Sequence, residues 1–174
     1  LLALPLISDE DWPAWRGPSG NGVARSAPDS VPLEWDRETN VKWRVPLAQP
    51  ADGSPVGGGE RVFLALPEDP EGKRRSLYCF NREDGKELWV RTVDFGRAMP
   101  THKTNPNGGS TPATDGERLY VTFLEPDGTT RPIPWKKGEL YTPGNMVVAR
   151  YRLNGRLDWV VRPAKFTGVN GYCS

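Results

Sequence analysis

Two similar hairpin patterns constrain the fold of this chain more than any other feature of its sequence. In residues 77–90 an apolar run leads into the turn dipeptide Asp84-Gly85, and a second apolar run follows. Residues 148–160 repeat this order around Asn154-Gly155. Both dipeptides supply the positive φ that a tight hairpin turn needs, so each stretch predicts two antiparallel strands.

The two hairpins belong to a longer repeated unit. Trp89 and Trp159 each lie four residues after the glycine of their turn. An earlier pattern, Gly-Glu-Arg followed by three apolar residues, occurs at 59–64 and again at 116–121. These patterns are 57 residues apart whereas the tryptophans are 70 apart, so the second copy holds 13 additional residues. A unit of short strands that recurs with a loop insertion is typical of β-propeller blades.

The amino-acid composition favours one fold class and disfavours one class of function. The chain has 18 Pro and 19 Gly, which interrupt any long apolar stripe of helical period, so the fold is predicted to be all-β. Basic and acidic residues, 23 and 22 in number, are interspersed and leave a net charge of +1. Because such a surface has no long-range field for a polyanion, nucleic-acid binding is disfavoured.

At two places the chain resembles a known family. The pattern Cys79-x-Asn81-x-x-x-Gly85-Lys86-x-x-Trp89 is similar to the tryptophan-docking repeat of quinoprotein-type β-propellers. Residues 11–18, followed by 40–47, resemble the opening of exported bacterial proteins with pyrroloquinoline-quinone-like repeats. The resemblance covers most of residues 11–174 and implies a quinoprotein-like, incomplete β-propeller. That fold has about two four-stranded antiparallel blades and an N-terminal strand.

Length adds to this expectation. Blades of this type take about 40–50 residues and a ring needs roughly four or more, so 174 residues are too few for a closed ring. We therefore expect an amino-terminal fragment, with the remaining blades of the parent propeller as its partners. The first blade is assigned to 51–100 and the second to 101–174, with an insertion at 124–145 and the start of a third blade at the end.

The N-terminal region is expected to be irregular. Residues 9–50 are assigned to an irregular segment, in which Trp12, Trp15 and Trp35 are expected to be buried anchors, and to a ring-closing strand at Val41–Val45. Residues 1–8 contain an apolar run that is too short to span a bilayer, which needs about 20 residues. This run predicts a signal-peptide remnant and a periplasmic or secreted bacterial protein, with an apolar edge strand as the alternative.

Candidate site residues form two groups. The resemblance implies that five residues join neighbouring blades as structural docking residues: Trp43, Gly85, Trp89, Gly155 and Trp159. A candidate contact surface is predicted in the loops, because loops on a rigid scaffold carry function. Its residues are His102, Trp135, Lys136 and Lys137. The alternatives are that Trp135 folds onto its blade and that His102 is an ordinary loop residue.

No catalytic, cofactor-binding or metal-binding residue is assigned. Quinone-dependent dehydrogenases of the family carry calcium, a catalytic carboxylate and adjacent cysteines over the quinone. This chain has only Cys79 and Cys173, which are far apart in sequence and are predicted to be unpaired thiols. We therefore expect no cofactor in this chain.

The leading functional prediction is a non-catalytic exported scaffold that binds a protein or small-molecule partner through its loops, without a membrane span. Outer-membrane assembly lipoproteins of this fold are similar. The alternative is the N-terminal part of a quinone-dependent alcohol or sugar dehydrogenase, which would use pyrroloquinoline quinone and calcium. A third hypothesis is a sugar-binding module in which Trp15 or Trp135 stacks on a glycan.

Overall fold

A computed structural model of the protein describes residues 11–24, 32–98 and 110–169. These residues form strands and turns without any helix, which confirms the all-β prediction. The strands make two antiparallel sheets, one of four strands and one of five. No helix in the described ranges is long and apolar enough to cross a membrane.

The first sheet is a four-stranded meander in which every strand pairs with its neighbours in the chain. Its strands are β1 (Val56–Gly58), β2 (Arg61–Pro67), β3 (Arg74–Asn81) and β4 (Glu87–Asp94). The hairpin predicted at Asp84-Gly85 joins β3 to β4, and Gly85 has a φ of 71°. Gly57 and Gly58 lie in β1, and the turn to β2 begins at Gly59.

The second sheet repeats the meander and adds one strand. Its strands are β5 (Ala113–Thr114), β6 (Arg118–Pro126), β7 (Arg131–Pro132), β8 (Leu140–Arg152) and β9 (Leu157–Val169). Pairing runs from β5 to β6, from β6 to β8 and from β8 to β9, while β7 pairs with the first residues of β8. The prediction of four strands is therefore wrong for this sheet, which has five.

The insertion predicted at 124–145 does not lie outside the sheet as a separate loop. Strand β6 continues through Pro126, and β8 begins at Leu140. Glu125 pairs with Asn145 across the two strands, and the Asn145 amide donates a 3.0 Å hydrogen bond to the Glu125 carboxylate. Cross-strand pairing satisfies the backbone of the additional residues, so much of the insertion lengthens the sheet.

The predicted N-terminal strand at Val41–Val45 is not formed. These residues pair with no strand in the part of the chain that the structure describes. Side chains hold the segment instead, since Lys42 forms an ion pair with Glu83 and Trp43 hydrogen-bonds to the turn after β3. Side-chain contacts, and not backbone pairing, therefore attach this segment to the first sheet.

One buried apolar cluster joins the two sheets face to face. Alternate residues along each strand point to the same face, so β2, β3, β6 and β8 each contribute side chains two residues apart. The cluster consists of Val56, Phe63, Ala65, Leu77, Cys79, Leu119, Val121, Ala149 and Tyr151. Removal of this surface from water is worth about 25 cal/mol per Å2, so the cluster stabilises the packing of the two sheets.

The N-terminal segment ties the two sheets together at their first strands. Trp12 exchanges backbone hydrogen bonds with Gly57 of β1, and the carbonyl of Pro13 accepts a 2.8 Å hydrogen bond from Thr114 of β5. A Cβ atom at Gly58 would lie 3.1 Å from Thr114 Cγ2, so β1 and β5 approach closely. These contacts set the separation of the sheets at this edge.

Candidate functional site

The indole of Trp43 packs on the turn that joins β3 to β4. Its Nε1 donates a 2.8 Å hydrogen bond to the carbonyl of Arg82. A Cβ atom at Gly85 would lie only 2.6 Å from the indole ring. Glycine is therefore needed at this position for two reasons, its positive φ and the close approach of the ring.

Trp89 makes the corresponding contact with the turn that joins β8 to β9. Its Nε1 donates a 3.0 Å hydrogen bond to the carbonyl of Leu153, and a Cβ atom at Gly155 would lie 2.8 Å from the ring. Arg91 adds a 2.7 Å hydrogen bond from Nε to the Gly155 carbonyl. The same contact, an indole packed on a turn glycine and hydrogen-bonded to a carbonyl of that turn, thus connects the N-terminal segment to the first sheet and the first sheet to the second.

Trp159, the third predicted docking tryptophan, lies on the other face of the second sheet. Its ring is tilted against Tyr120 at a centroid distance of 6.5 Å, and the guanidinium of Arg150 lies 5.3 Å from its centroid. Tyr120 donates a hydrogen bond to Asp115, and this bond, with burial, raises the pKa of the phenol. Trp159 is half-buried by these neighbours.

Around Trp159 the sheet presents a cluster that we call the arginine-rich face. It consists of Arg118, Tyr120, Arg150, Arg152, Asp158 and Trp159. The Asp158 carboxylate lies 2.9 Å from Arg152 Nε, 3.3 Å from Arg118 Nε and 3.4 Å from Arg150 Nε. The hydrogen bond from Arg152 and the charges of all three guanidiniums hold the pKa of Asp158 below its usual value. This cluster was not predicted from the sequence.

A signal for the cluster is present in the sequence but is incomplete. Arg150 and Arg152 are two residues apart, which places them on one face of a strand. Arg118 joins them only because β6 pairs with β8 in the register that sets Arg118 opposite Arg152. That register depends on how the additional residues between the strands are folded.

The candidate contact residue Trp135 projects from a short closed loop, residues 132–139, which we call the Trp135 loop. Its indole is 79% exposed and does not fold onto the sheet. Ile133 is buried and donates its backbone N–H to the Glu139 carbonyl at 3.0 Å. Lys136 forms an ion pair with Glu139 at 3.1 Å, and Lys137 is exposed. The loop is therefore anchored at its base and presents an aromatic ring beside a lysine.

The remaining aromatic and histidine predictions have different outcomes. Trp12 is half-buried and packs against Gly17, where a Cβ atom would lie 2.8 Å from the ring. The expected burial of Trp15 and Trp35 is wrong, since they are 60% and 71% exposed. Trp15 is covered on one side by the Arg16 guanidinium, 4.3 Å away, and not by the core. His102 lies outside the described residues.

Thiol and metal chemistry have little support in the described residues. Cys79 is a free, fully buried thiol, and burial raises its pKa to about 11, which keeps it protonated and unreactive. Cys173 lies outside the described ranges. Within those ranges no three His, Cys, Asp or Glu side chains converge as a metal site, so they do not supply a calcium ligand set.

A second polar cluster fixes the long hairpin of the second sheet. Glu125 accepts two hydrogen bonds of 2.7 Å from Arg162 and one of 3.0 Å from Asn145, and Lys165 donates to Asn145 at 2.9 Å. The hydrogen bonds from Arg162 and Asn145 lower the pKa of Glu125 to about 2. This cluster joins three adjacent strands and stabilises their register.

Comparisons of the chain with protein-family models, with curated proteins and with solved structures found no match.

Proposed function

We propose that this protein is a non-catalytic, exported scaffold of the quinoprotein-like β-propeller type, which binds a protein or other partner through the Trp135 loop. The observation that carries the binding role is the exposed indole of Trp135 on a loop anchored by buried Ile133. A rigid aromatic side chain loses little conformational entropy on binding and buries a large apolar area, which makes tryptophan a frequent centre of interfaces.

The propeller part of the proposal is supported by the repeated tryptophan contacts. Trp43 and Trp89 each place an indole on the glycine of the next hairpin turn, and the two sheets stack through one apolar cluster. A blade array needs such a contact at each step, because every module must bury a face against its neighbour. Export is supported only by the apolar run at residues 1–7.

Site-specific photo-crosslinking tests the binding role. A photoreactive phenylalanine analogue replaces Trp135, and the matched control carries it at Trp35, which is almost equally exposed in a different segment. In an extract of the source cells, position 135 is expected to give a discrete cross-linked product that position 35 does not give. Unlabelled wild-type protein should suppress the product, whereas the Trp135→Ser variant should not.

The same products from both positions, or suppression by Trp135→Ser as strong as by wild type, would show that the Trp135 loop is not the contact surface. Export has its own test, in which a reporter enzyme that is active only in an oxidising compartment is fused to the complete gene product in its source cells. An inactive fusion that is stably produced would remove the exported part of the proposal.

The quinone-dependent dehydrogenase remains a hypothesis from the sequence alone. Purified protein supplied with pyrroloquinoline quinone and calcium should then oxidise alcohols or sugars in a dye-linked assay. Activity that depends on both additions would replace the scaffold proposal with this one.

A further inference from the structure

The arginine-rich face occupies the place in the second sheet that corresponds to a covered face in the first. In the first sheet the register sets Phe63 opposite Cys79 and Cys79 opposite Trp89, and a tilted aromatic pair spans the row at 6.0 Å. The second sheet repeats this row with Tyr120, Arg150 and Trp159. The row in the first sheet is covered by the second sheet.

The two rows differ in charge at their centre. Cys79 is a neutral, buried side chain, whereas its counterpart Arg150 carries a charge that cannot be lost. The surface that covers Cys79 presents apolar side chains such as Val121 and Ala149. An apolar surface of that kind over Arg150 would strip water from the guanidinium without supplying a counter-charge, which is costly. An occupant of this face therefore has to bring acceptors.

A β-bulge places the one central carboxylate among the arginines. In both hairpins the register shifts just before the tryptophan, which leaves Leu88 unpaired in β4 and Asp158 unpaired in β9. Bulges change the direction in which a side chain points, and here the bulge directs Asp158 onto the arginine side of the sheet. The first sheet has a leucine at the same position, so the carboxylate is specific to the second.

Asp158 satisfies the Nε donor of only one of the three arginines around it. It accepts a hydrogen bond from Arg152, but the Nε atoms of Arg118 and Arg150 lie within ion-pair distance without hydrogen-bond geometry. Both Nε atoms are shielded from solvent and have no hydrogen-bond partner in the described structure. Glu117 contacts Arg118 at a different nitrogen, since its backbone carbonyl accepts a 3.1 Å hydrogen bond from Arg118 Nη1 and its carboxylate lies 3.7 Å from that same atom. Unsatisfied buried donors are rare and costly, and an added acceptor would relieve them.

We propose that the arginine-rich face binds an acidic polypeptide segment of a partner protein. Carboxylates of the segment pair with Arg118, Arg150 and Arg152, while its apolar side chains pack on the aromatic rings. The guanidiniums lie on two adjacent strands, about 5 Å apart, beside exposed Val161, so charge and apolar surface are combined in one small patch. Nucleic acid is a poorer fit because repeated phosphates need a track of cations. This surface is separate from the Trp135 loop.

The proposal is tested first with the unmutated protein, which is used to select binding peptides from a displayed library of random heptapeptides. Peptides that bind are expected to be enriched in Asp and Glu together with an apolar residue, relative to the starting library. Their binding should weaken with rising salt because the pairs are partly exposed. Enrichment without Asp and Glu would overturn the proposal. So would competition by a single-stranded oligonucleotide or by inorganic phosphate that is stronger than competition by free selected peptide.

Variants locate the selected peptide, whose affinity is measured by fluorescence anisotropy. Arg118→Gln and Arg152→Gln should each weaken binding about fivefold. The matched control Arg156→Gln removes an exposed arginine of the same hairpin that lies at the turn, and it should leave affinity unchanged. Asp158→Asn removes the negative charge that competes with the peptide carboxylates for the three arginines, so it should strengthen peptide binding. If Asp158 only stabilised the sheet, its replacement would not strengthen binding.

Each variant is first checked by circular dichroism, and only variants with the wild-type spectrum are compared. Equal affinities for Arg152→Gln and Arg156→Gln would refute the assignment to this face, as would weaker binding by a folded Asp158→Asn variant. Trp135→Ser separates the two proposals. If it abolishes peptide binding, the selected peptides occupy the Trp135 loop, and the arginine-rich face is not their site.

Discussion

Replacement of Gly155 by alanine should destabilise the protein by more than backbone strain alone. Gly155 has a φ of 81°, and this left-handed conformation costs an alanine about 1 kcal/mol. The new Cβ atom would also lie 2.8 Å from Trp89 Cδ2. The indole has little room to retreat, since its opposite neighbour Phe63 is fully buried in the core.

The displaced indole would lose two further contributions. Its hydrogen bond to the Leu153 carbonyl is worth about 1 kcal/mol, and the apolar contact that it forms with the turn is worth about as much again. The expected cost of Gly155→Ala is therefore about 3 kcal/mol in the free energy of unfolding, against about 1 kcal/mol for strain by itself. The difference measures the tryptophan contact together with that of Arg91, whose Nη2 would lie 2.9 Å from the new Cβ atom.

Gly59→Ala is the matched control because Gly59 also has a positive φ, 57°, but no atom lies within 4 Å of its added Cβ. Both variants are compared with wild type in urea denaturation followed by far-ultraviolet circular dichroism, with linear extrapolation. A Trp89→Ala background completes the cycle, and there the extra cost of Gly155→Ala over Gly59→Ala should fall to the smaller cost of moving the flexible Arg91 side chain away from the new Cβ atom. Equal costs for the two glycine variants in the wild-type background would refute the docking argument.

Three further outcomes follow from the structure. Ile133→Ala should lower the free energy of unfolding by about 3 kcal/mol because Ile133 is buried, whereas Trp135→Ser should change it by less than about 0.5 kcal/mol because Trp135 is exposed. If urea denaturation gave the reverse order, Ile133 would not be the anchor of the Trp135 loop. Because the folded-state pKa of Glu125 is depressed to about 2, its contribution to stability is present above its ordinary value of 4.5 and is lost as the pH falls towards 2. Over that range wild type should lose more stability than Arg162→Gln, and parallel pH curves would count against the ion pair. In a variant whose other cysteine is serine, Cys79 should react with a thiol reagent about a hundredfold more slowly in the native protein than in denaturant, and equal rates would show that it is not buried.

Short-range sequence patterns were sufficient to predict the two hairpins and the all-β class. Both hairpins lie where Asp84-Gly85 and Asn154-Gly155 place them, because a turn and its flanking alternation depend on a few adjacent residues. The all-β class followed in the same way from the distribution of Pro and Gly. The prediction failed for Val41–Val45, because an apolar alternation favours a strand only where a pairing partner is available.

Long-range pairing decided the rest. The additional residues in the second sheet could have formed a loop, and cross-strand pairs such as Glu125 with Asn145 show that they lengthen the strands. The convergence of Arg118 with Arg152 depends on that same register, and no local pattern encodes it. The exposure of Trp135 beside the buried Ile133 is likewise not encoded by any local pattern. The two hairpins and their turns could be predicted from the sequence, since each depends on a few adjacent residues. The side chains that meet across the sheets could not, since their meeting requires a register set by distant residues.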